Sequence, residues 1–517
     1  MSSLPAALVP FLIGAALVGG LSAFFDARGA PPPLAGARRP GFAGLPSSGS
    51  RRPQALPQAP DLKLFFQAAS RDETEASAAM QQLAERWRDD YAAMIVDMAR
   101  LMRPSSRGPE TTEGTLPPTD DEAGALTRMP DPVAPVRSPT SPVRARLTRF
   151  LEKQTGRRLG DDLWAWRAWI WSRPYEPHPG YLAFKGALYG QIDPRMAEFF
   201  KPGTRSTVRL DEVDWGGVTV NGIPPLGHPE AISAEQARYL DDGNVVFGIV
   251  VNGEPRAYPK RILAWHELAR DRVGGVELTI VYCTLCGTVI PYENEVGGVA
   301  RTFGTSGLLY RSNKLMFDRV SMSLWSTLEA RPVIGALAGE DLQLRAHPVV
   351  TTTWGEWRVA HPQTTVLSPD TGVERDYSEG AAYRDYFSTD ALMFRVSKTD
   401  KRLKNKAEVL IMKLRGEDGV TRPAAIAAEF LKKNPLHMFE SAGRRFVVLT
   451  TSNGANRVYE AGAARFTKWN GRDIVEDETG RTLRVNEDAI GEHRRVPAQR
   501  AFWFAWYAQF PETSLIK

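Results

Sequence analysis

The sequence predicts an α+β protein in which a β-rich C-terminal domain, built from a weak internal duplication, follows an α-helical region and an N-terminal apolar helix. Three observations predict this class. Apolar residues recur every three or four positions between residues 80 and 101, which is typical of a helix. From about Val208, short β-rich runs alternate with glycine turns. A tryptophan-containing motif occurs twice in the C-terminal part of the chain.

The N-terminal stretch from Leu4 to Phe25 has no charged residue and is long enough to span a bilayer, which takes about 20 residues. It could equally be the apolar part of an export signal. We therefore predict a transmembrane or signal-anchor segment over residues 1–29, which makes the membrane an expected partner. Arg28, Arg38 and Arg39 follow the stretch, and this favours a cytoplasmic side for the rest of the chain.

Four regions separate this segment from the β-rich domain. Residues 30–60 and 104–142 are rich in proline and in small or polar residues, and we predict disordered linkers there. Residues 61–103 are predicted to be a helical segment, with one helix from Glu73 to Met102. Residues 143–207 are predicted to be a second helical region.

Within that second helical region, Asp161 or Asp162 is placed to cap a helix that runs from Leu163 to Ser172. Pro174 follows shortly afterwards, and proline is common just beyond the end of a helix.

The β-rich domain is predicted to consist of two copies, residues 208–372 and residues 373–517. The repeated motif is Trp354-x-x-Trp357-x-x-x-x-Pro362-x-Thr364, which recurs as Trp503-x-x-Trp506-x-x-x-x-Pro511-x-Thr513. Tyr282-Cys-Thr-Leu-Cys-Gly287 of the first copy faces Leu449-Thr-Thr-Ser-Asn-Gly454 of the second. The second copy is thus predicted to keep the turn without its cysteines, so we expect the two thiols to serve chemistry rather than packing.

Composition restricts the kind of protein. The chain has 517 residues, with 65 Lys+Arg against 60 Asp+Glu and a net charge of +5. This excess is small for the length, so no nucleic-acid partner is expected. Cys283 and Cys286 are the two cysteines of the chain, which excludes a disulfide-rich scaffold and an all-cysteine zinc site.

The Cys283-x-x-Cys286 spacing brings two sulfur atoms together on one tight turn, at the end of a predicted strand from Glu277 to Tyr282. Three chemistries use such a pair: binding of a soft or borderline metal with further ligands, cycling between dithiol and disulfide, and a fixed disulfide. A thioredoxin-type pair should begin a helix. Here a β-like run from Thr288 to Tyr292 follows, which weighs against that type.

His266 is the candidate third ligand. Pro259 is suited to begin a helix, which we predict from Lys260 to Asp271. On that helix His266 shares the inward face with Ile262, and the cysteine strand follows directly. An inward histidine can also be an ordinary core residue.

These residues together predict a zinc or copper site. Cys283 and Cys286 would be thiolate ligands and His266 an imidazole ligand, with water, substrate or another side chain in the fourth position. Glu267 is the candidate acid–base residue beside it.

Several motifs resemble a known family. They are Gly222-Ile-Pro-Pro225, Gly253-Glu-Pro-Arg-Ala-Tyr-Pro259, Trp265-His-Glu267, Tyr282-Cys-Thr-Leu-Cys-Gly287, Phe303-Gly-Thr-Ser-Gly-Leu-Leu-Tyr310, Ser323-Leu-Trp325 and Trp354-Gly-Glu-Trp357. The stretch from Asp211 to Asp370 that carries them resembles the domain of unknown function 3179 family, a bacterial and archaeal group. Phe502-Trp-Phe-Ala-Trp506 is similar to a second block of longer members, whereas Phe387 to Lys433 matches poorly.

This resemblance implies a site centred on Trp265-His-Glu267 and the two cysteines. It also implies an exported or membrane-anchored protein that faces the periplasm or the cell exterior, in contrast to the arginine pattern. It implies no activity.

Three functional hypotheses follow. The first is a membrane-tethered protein with one Cys/His metal site, and the second is a thiol–disulfide redox protein that uses Cys283 and Cys286. The third is a non-enzymatic interaction scaffold, for which a protein partner would have to be identified.

Overall fold

The structure, a computed structural model, describes residues 62–102 and 141–517. The predicted apolar segment 1–29, the linker 30–60 and nearly all of the linker 104–142 lie outside the described residues. Among the helices of these two stretches, none combines the length and apolar character that a bilayer span requires.

The N-terminal part of the described chain is helical. Its helices are α1 (Lys63–Ala68), α2 (Glu73–Glu85), α3 (Tyr91–Leu101), α4 (Pro142–Thr155), α5 (Leu163–Trp171) and α6 (Tyr181–Gly190), followed by a 3₁₀ helix (Pro194–Phe200). The predicted cap of α5 is confirmed, since the Asp162 carboxylate accepts hydrogen bonds from the main-chain N–H groups of Trp164 and Ala165.

The single helix predicted from Glu73 to Met102 is wrong, because the chain breaks it between α2 and α3. At the break, Arg88 forms an ion pair with Asp90, 2.6 Å apart. Trp87 packs edge-on against Tyr91 and Phe150. The apolar spacing therefore continues across a turn, so the sequence pattern does not reveal the break between α2 and α3.

The first β-rich part, called the first half here, covers residues 205–367. Its strands are β1 (Arg205–Ser206), β2 (Val213–Trp215), β3 (Leu226–Gly227), β4 (Ala231–Ser233), β5 (Val245–Val251), β6 (Glu254–Pro259), β7 (Leu268–Val273), β8 (Val276–Cys283), β9 (Thr288–Glu293), β10 (Glu295–Val296), β11 (Val299–Ala300), β12 (Phe303–Tyr310), β13 (Asn313–Asp318), β14 (Leu324–Ser326), β15 (Arg331–Gly335), β16 (Val350–Thr353) and β17 (Thr365–Leu367). Its two α-helices are α7 (Lys260–His266) and α8 (Trp354–Ala360).

Three of its sheets matter for the site. Their strand orders are β3-β7-β8-β9, β16-β5-β6-β17-β4 and β1-β15-β14-β13-β12-β2. The last of these, a six-stranded sheet, packs against the helical region in one core that includes Leu308 and Leu315 from the sheet and Phe199 from the 3₁₀ helix.

A connecting segment, residues 368–407, leads to the second half and contains one five-residue helix, α9 (Arg384–Ser388). The elements of the second half are β18 (Glu408–Arg415), β19 (Thr421–Ala427), α10 (Ala428–Lys433), β20 (Leu436–Ser441), β21 (Arg444–Thr450), β22 (Asn456–Glu460), β23 (Phe466–Trp469), β24 (Ile474–Asp477), β25 (Thr482–Arg484), β26 (Ala489–Ile490), β27 (His493–Val496), β28 (Ala498–Phe502), α11 (Trp503–Gln509) and β29 (Ser514–Ile516).

The main sheets of the two halves have matching strand orders. β16-β5-β6-β17 in the first half corresponds to β28-β18-β19-β29 in the second. In both, the first three strands are antiparallel and the fourth is parallel to the third. The meander β7-β8-β9 corresponds to β20-β21-β22. An α+β, β-rich fold is therefore observed, and its origin in a duplication stays a prediction.

Candidate functional site

The two cysteines lie on a tight turn between adjacent antiparallel strands. β8 ends at Cys283, the residues Thr284–Cys286 form one 3₁₀ turn, and β9 begins at Thr288. Gly287 closes the turn with φ +60°, and a Cβ atom there would lie 2.9 Å from the ring of Phe502. Both the left-handed backbone and the close approach of Phe502 therefore require glycine.

The two thiols are close together and shielded from solvent. Their Sγ atoms are 2.7 Å apart, against about 2.05 Å in a disulfide bond. Cys283 is 2% exposed and Cys286 is fully buried, and both are free thiols. The two sulfurs are therefore about 0.65 Å farther apart than in a disulfide bond.

A second turn, between β12 and β13, covers the sulfur atoms. Arg311 and Ser312 both have positive φ, which allows a tight connection. The carbonyl oxygen of Ser312 lies 3.5 Å from the Cys286 sulfur, and the Asn313 amide donates to the same sulfur at 3.3 Å. The main-chain N–H of the next residue, Lys314, lowers the pKa of the Cys283 thiol.

The Lys314 side chain is buried, and its ammonium group has three acceptors. Its Nζ lies 2.6 Å from the Glu267 carboxylate, and it donates to the carbonyl oxygens of Glu267 at 3.1 Å and Tyr282 at 3.3 Å. An ammonium has three protons to donate, so this geometry satisfies all of them. Lys314 thus joins the end of α7 to the residue that precedes Cys283.

Glu267 lies where the chain changes from helix to strand. The helix predicted from Lys260 to Asp271 ends at His266, so its predicted C-terminal end is wrong. Glu267 takes a left-handed conformation, φ +56°, and its N–H donates to the carbonyl of Leu263 at 2.7 Å. Its own carbonyl accepts from the N–H of Tyr282, which places the carboxylate beside the cysteine strand.

His266 is fully buried, but both of its ring nitrogens are used elsewhere. Nδ1 lies 2.8 Å from the Pro224 carbonyl oxygen, which can only accept, so Nδ1 carries the proton. Nε2 is hydrogen-bonded to the Tyr377 hydroxyl. Burial lowers the pKa of His266, with an opposing contribution from the Pro224 bond, so the ring is neutral and Nε2 accepts from Tyr377.

The predicted metal-ligand set does not gain support from this arrangement. Within residues 62–102 and 141–517, no group of three or more His, Cys, Asp or Glu side chains is arranged to hold a metal ion. The structure brings Cys283 and Cys286 together. Lys314 links Glu267 to this pair, because its ammonium group contacts both the Glu267 carboxylate and the carbonyl of Tyr282, the residue before Cys283. It directs the free lone pair of His266 toward Tyr377. Ligation by His266 and acid–base action by Glu267 therefore stay predictions.

The connecting segment contributes three tyrosines to this region. The Tyr377 hydroxyl binds His266, and the Tyr383 hydroxyl lies 3.5 Å from the Glu267 carboxylate. The Tyr386 hydroxyl donates to the carbonyl of Leu285, between the two cysteines, at 2.8 Å. Tyr386 also shares a buried cluster with both sulfurs. This segment therefore shields the dithiol from solvent.

The environment distinguishes the two sulfurs. Burial raises the pKa of the Cys283 thiol, but its hydrogen bond with Cys286 and the N–H and charge of Lys314 outweigh burial and hold that pKa below its ordinary value. Glu267 acts in the opposite direction. Burial and the neighbouring Cys283 raise the pKa of Cys286 well above its ordinary value. The reduced pair therefore favours a thiolate at Cys283 and a thiol at Cys286.

Sequence reasoning missed five side chains of the site: Asn313, Lys314, Tyr377, Tyr383 and Tyr386. The Phe303–Tyr310 motif, which precedes Asn313 and Lys314, was noted for its resemblance alone. The three tyrosines lie just before the stretch that matched poorly, Phe387 to Lys433. No local pattern identifies them, because they reach the site through tertiary packing.

The fold and site define a β-rich α+β protein with one buried cysteine pair. The chain matches the family described as "Protein of unknown function (DUF3179)" over residues 220–513. This span is more than half of the chain, so the protein belongs to that family, as the resemblance predicted. No curated protein and no solved structure matches the chain.

Proposed function

We propose that this protein is a thiol–disulfide redox protein in which Cys283 and Cys286 alternate between a dithiol and an intramolecular disulfide. The observation that carries the proposal is the 2.7 Å separation of the two sulfurs on one turn. Their unequal environments support it, because exchange needs a thiolate to attack and a second thiol to resolve the adduct.

The proposed reaction is thiol–disulfide exchange with a disulfide-bearing substrate. The Cys283 thiolate bonds to one substrate sulfur, and the other substrate sulfur leaves as a thiolate. That leaving group takes the proton of Cys286. The resulting Cys286 thiolate attacks the Cys283 sulfur and releases the substrate sulfur that was bonded to it, which takes a proton from water. The protein dithiol is oxidised to a disulfide while the substrate disulfide is reduced to two thiols.

A fixed structural bridge is less well supported. A disulfide that closes so short a loop removes little chain entropy from the unfolded state, so it would stabilise the fold only weakly. Zinc or copper binding, the first hypothesis from the sequence, is not carried into the proposal, since both His266 nitrogens are already bonded. No contact in the described residues favours the scaffold hypothesis over this one.

Membrane tethering by the apolar segment is also proposed. An extracytoplasmic placement would put the pair in an oxidising environment, where disulfides form and persist. Cell fractionation tests it: the full chain should be in the membrane fraction, and a variant that lacks residues 4–25 should be soluble. If the full chain and the shortened variant fractionate alike, the proposed membrane tether is wrong and the redox proposal is unaffected.

The redox proposal is tested by equilibrating the purified full chain in glutathione buffers of graded ratio, then alkylating and counting free thiols by mass spectrometry. We expect one reversible transition between two free thiols and none, with no retained glutathione. Metal content is measured on the same samples, since a tightly bound metal that blocks the transition would restore the metal hypothesis. A bridge that no buffer reduces would contradict the proposal.

A further inference from the structure

Lys314 is a buried cation that no sequence motif predicted. It reaches the site from the six-stranded sheet, whereas the cysteines belong to the sheet β3-β7-β8-β9. Its side chain is 6% exposed, and the Glu267 carboxylate and two carbonyl oxygens hold its Nζ in one position. One of those carbonyls belongs to Tyr282, the residue directly before Cys283.

The ionisable groups that act on the sulfurs come from four parts of the chain. Glu267 follows α7, Lys314 is on β13, and Tyr383 and Tyr386 belong to the connecting segment. Tyr282 on β8 completes the set. Burial raises the pKa of each of these tyrosines, so they are neutral around pH 7. Lys314 and Glu267 are therefore the two charges of this set.

We infer that Lys314 is the positioning residue that sets the redox balance of the cysteine pair, with Glu267 opposing it. This inference rests on the proposed redox function. The reduced pair has a negative charge at Cys283, and the disulfide has none. A nearby cation stabilises only the reduced form and makes the disulfide a stronger oxidant, whereas a nearby carboxylate does the reverse.

The test measures the disulfide reduction potential of the full chain and of two variants, which should shift this potential in opposite directions. Lys314→Met keeps an unbranched side chain without charge. It should favour the disulfide about tenfold, which makes the reduction potential about 30 mV more negative. Glu267→Gln keeps an oxygen acceptor for Lys314 and should move the potential to a more positive value. It also keeps the inference testable if Lys314→Met does not fold.

Lys413→Met is the matched control. Lys413 is a half-buried lysine whose Nζ, like that of Lys314, donates to two carbonyl oxygens, those of Leu328 at 2.7 Å and Glu329 at 3.1 Å. It belongs to the second half, so its loss should leave the potential unchanged.

The outcomes separate the two claims. If the wild-type chain shows no reversible couple, the proposed function is wrong. If the couple is present but Lys314→Met leaves its potential unchanged, or moves it in the same direction as Glu267→Gln, the inference about Lys314 is overturned and the function stands.

Discussion

At Cys283 and Cys286, residues three positions apart, the fold creates two different sulfurs. The main-chain N–H of Lys314 lowers the pKa of Cys283, whereas Cys286 has the Ser312 carbonyl and the Asn313 amide as partners. The thiolate is the nucleophile in disulfide exchange, so the asymmetry assigns the attack to Cys283.

We expect Cys286→Ser to retain a mixed disulfide with glutathione on Cys283, because no second thiol is left to resolve it. In Cys283→Ser, adduct formation at Cys286 should be about tenfold slower or more, because burial still raises the pKa of Cys286 when Cys283 is removed, and little thiolate is present. Peptide mass spectrometry after timed exposure to oxidised glutathione measures both rates. Equal rates in the two variants would show that the sulfurs are not distinguished.

His266 gives a pH dependence of stability with a definite sign. Burial lowers its pKa in the folded state, so the unfolded chain, with a histidine pKa of about 6.5, binds the proton first as pH falls. The folded state therefore loses stability below about pH 6.5 and regains it as pH rises. His266→Gln, which can still donate to Pro224, should flatten this dependence.

Urea unfolding at about pH 7.5 and about pH 5 measures the effect, on either side of the ordinary histidine pKa. His493→Gln, in the second half, serves as the control and should keep the wild-type slope. If His266→Gln shows the wild-type slope as well, His266 is protonated in the folded state and its assigned hydrogen bonds are wrong.

Residue-level prediction from the sequence was successful where neighbours in the chain are neighbours in space. The cysteine turn and the closeness of Glu267 to it followed from the chain order of α7, β7 and β8. Lys314 could not be predicted, because its position depends on how a hairpin of another sheet packs on the cysteine turn. The orientation of the His266 ring depends on Tyr377, from the distant connecting segment.

At the level of elements, the transition from α7 to β7 shapes the site. The helix ends one residue before Glu267, whose left-handed conformation turns the chain directly into a strand. Glycine or asparagine usually occupies such a position, so a glutamate gave no signal of a helix end. The sequence pattern therefore continued the helix to Asp271, and only the pairing of β7 with β8 ends it.

The connecting segment covers the thiols together with the turn between β12 and β13. A long segment with one short helix is unusual inside a compact fold and is often functional. Here it contacts the cysteine turn through the hydrogen bond from Tyr386 to the Leu285 carbonyl. Within the segment, the Asp390 carboxylate accepts from the N–H groups of Asn405 and Lys406. We therefore expect a looser connecting segment to let a reagent reach the sulfurs faster.

Tyr386→Phe should therefore speed alkylation of the reduced pair about 3- to 10-fold, because it removes one hydrogen bond that holds the segment closed. Alkylation is followed by mass spectrometry at constant pH on the full chain. Tyr459→Phe is the matched control, since the Tyr459 hydroxyl also donates to a main-chain carbonyl, that of Asn486, in the second half. Equal acceleration in both variants would indicate general unfolding and contradict the role of the segment.

At the level of the whole molecule, two halves with matching strand order carry different chemistry. In both, the helix after an edge strand carries a tryptophan whose indole N–H donates to a threonine. This threonine lies just before the strand that is parallel to its neighbour, β17 in the first half and β29 in the second. Trp357 bonds to Thr364 at 2.9 Å and Trp506 bonds to Thr513 at 2.8 Å. The tryptophan motif of the sequence therefore corresponds to the same local structure twice, whereas the thiols occur once.

Thr364→Val and Thr513→Val should each cost about 1–3 kcal/mol of unfolding free energy, because each leaves a buried indole N–H without an acceptor. Denaturant unfolding measures both. Ser388→Ala, at an exposed position, should be nearly neutral. If one threonine variant is as stable as the wild type while the other is not, the two motifs are not structurally equivalent.

Cys283 and Cys286 are proposed to form a reversible two-electron couple. The most direct measurement is the number of alkylatable thiols on the purified full chain, taken through repeated oxidation and reduction with glutathione. We predict that the count alternates between two and zero in every cycle, and that Cys283→Ser never loses its remaining thiol to an internal bridge. A count that stays at two in oxidising buffer, or at zero in reducing buffer, would contradict the account.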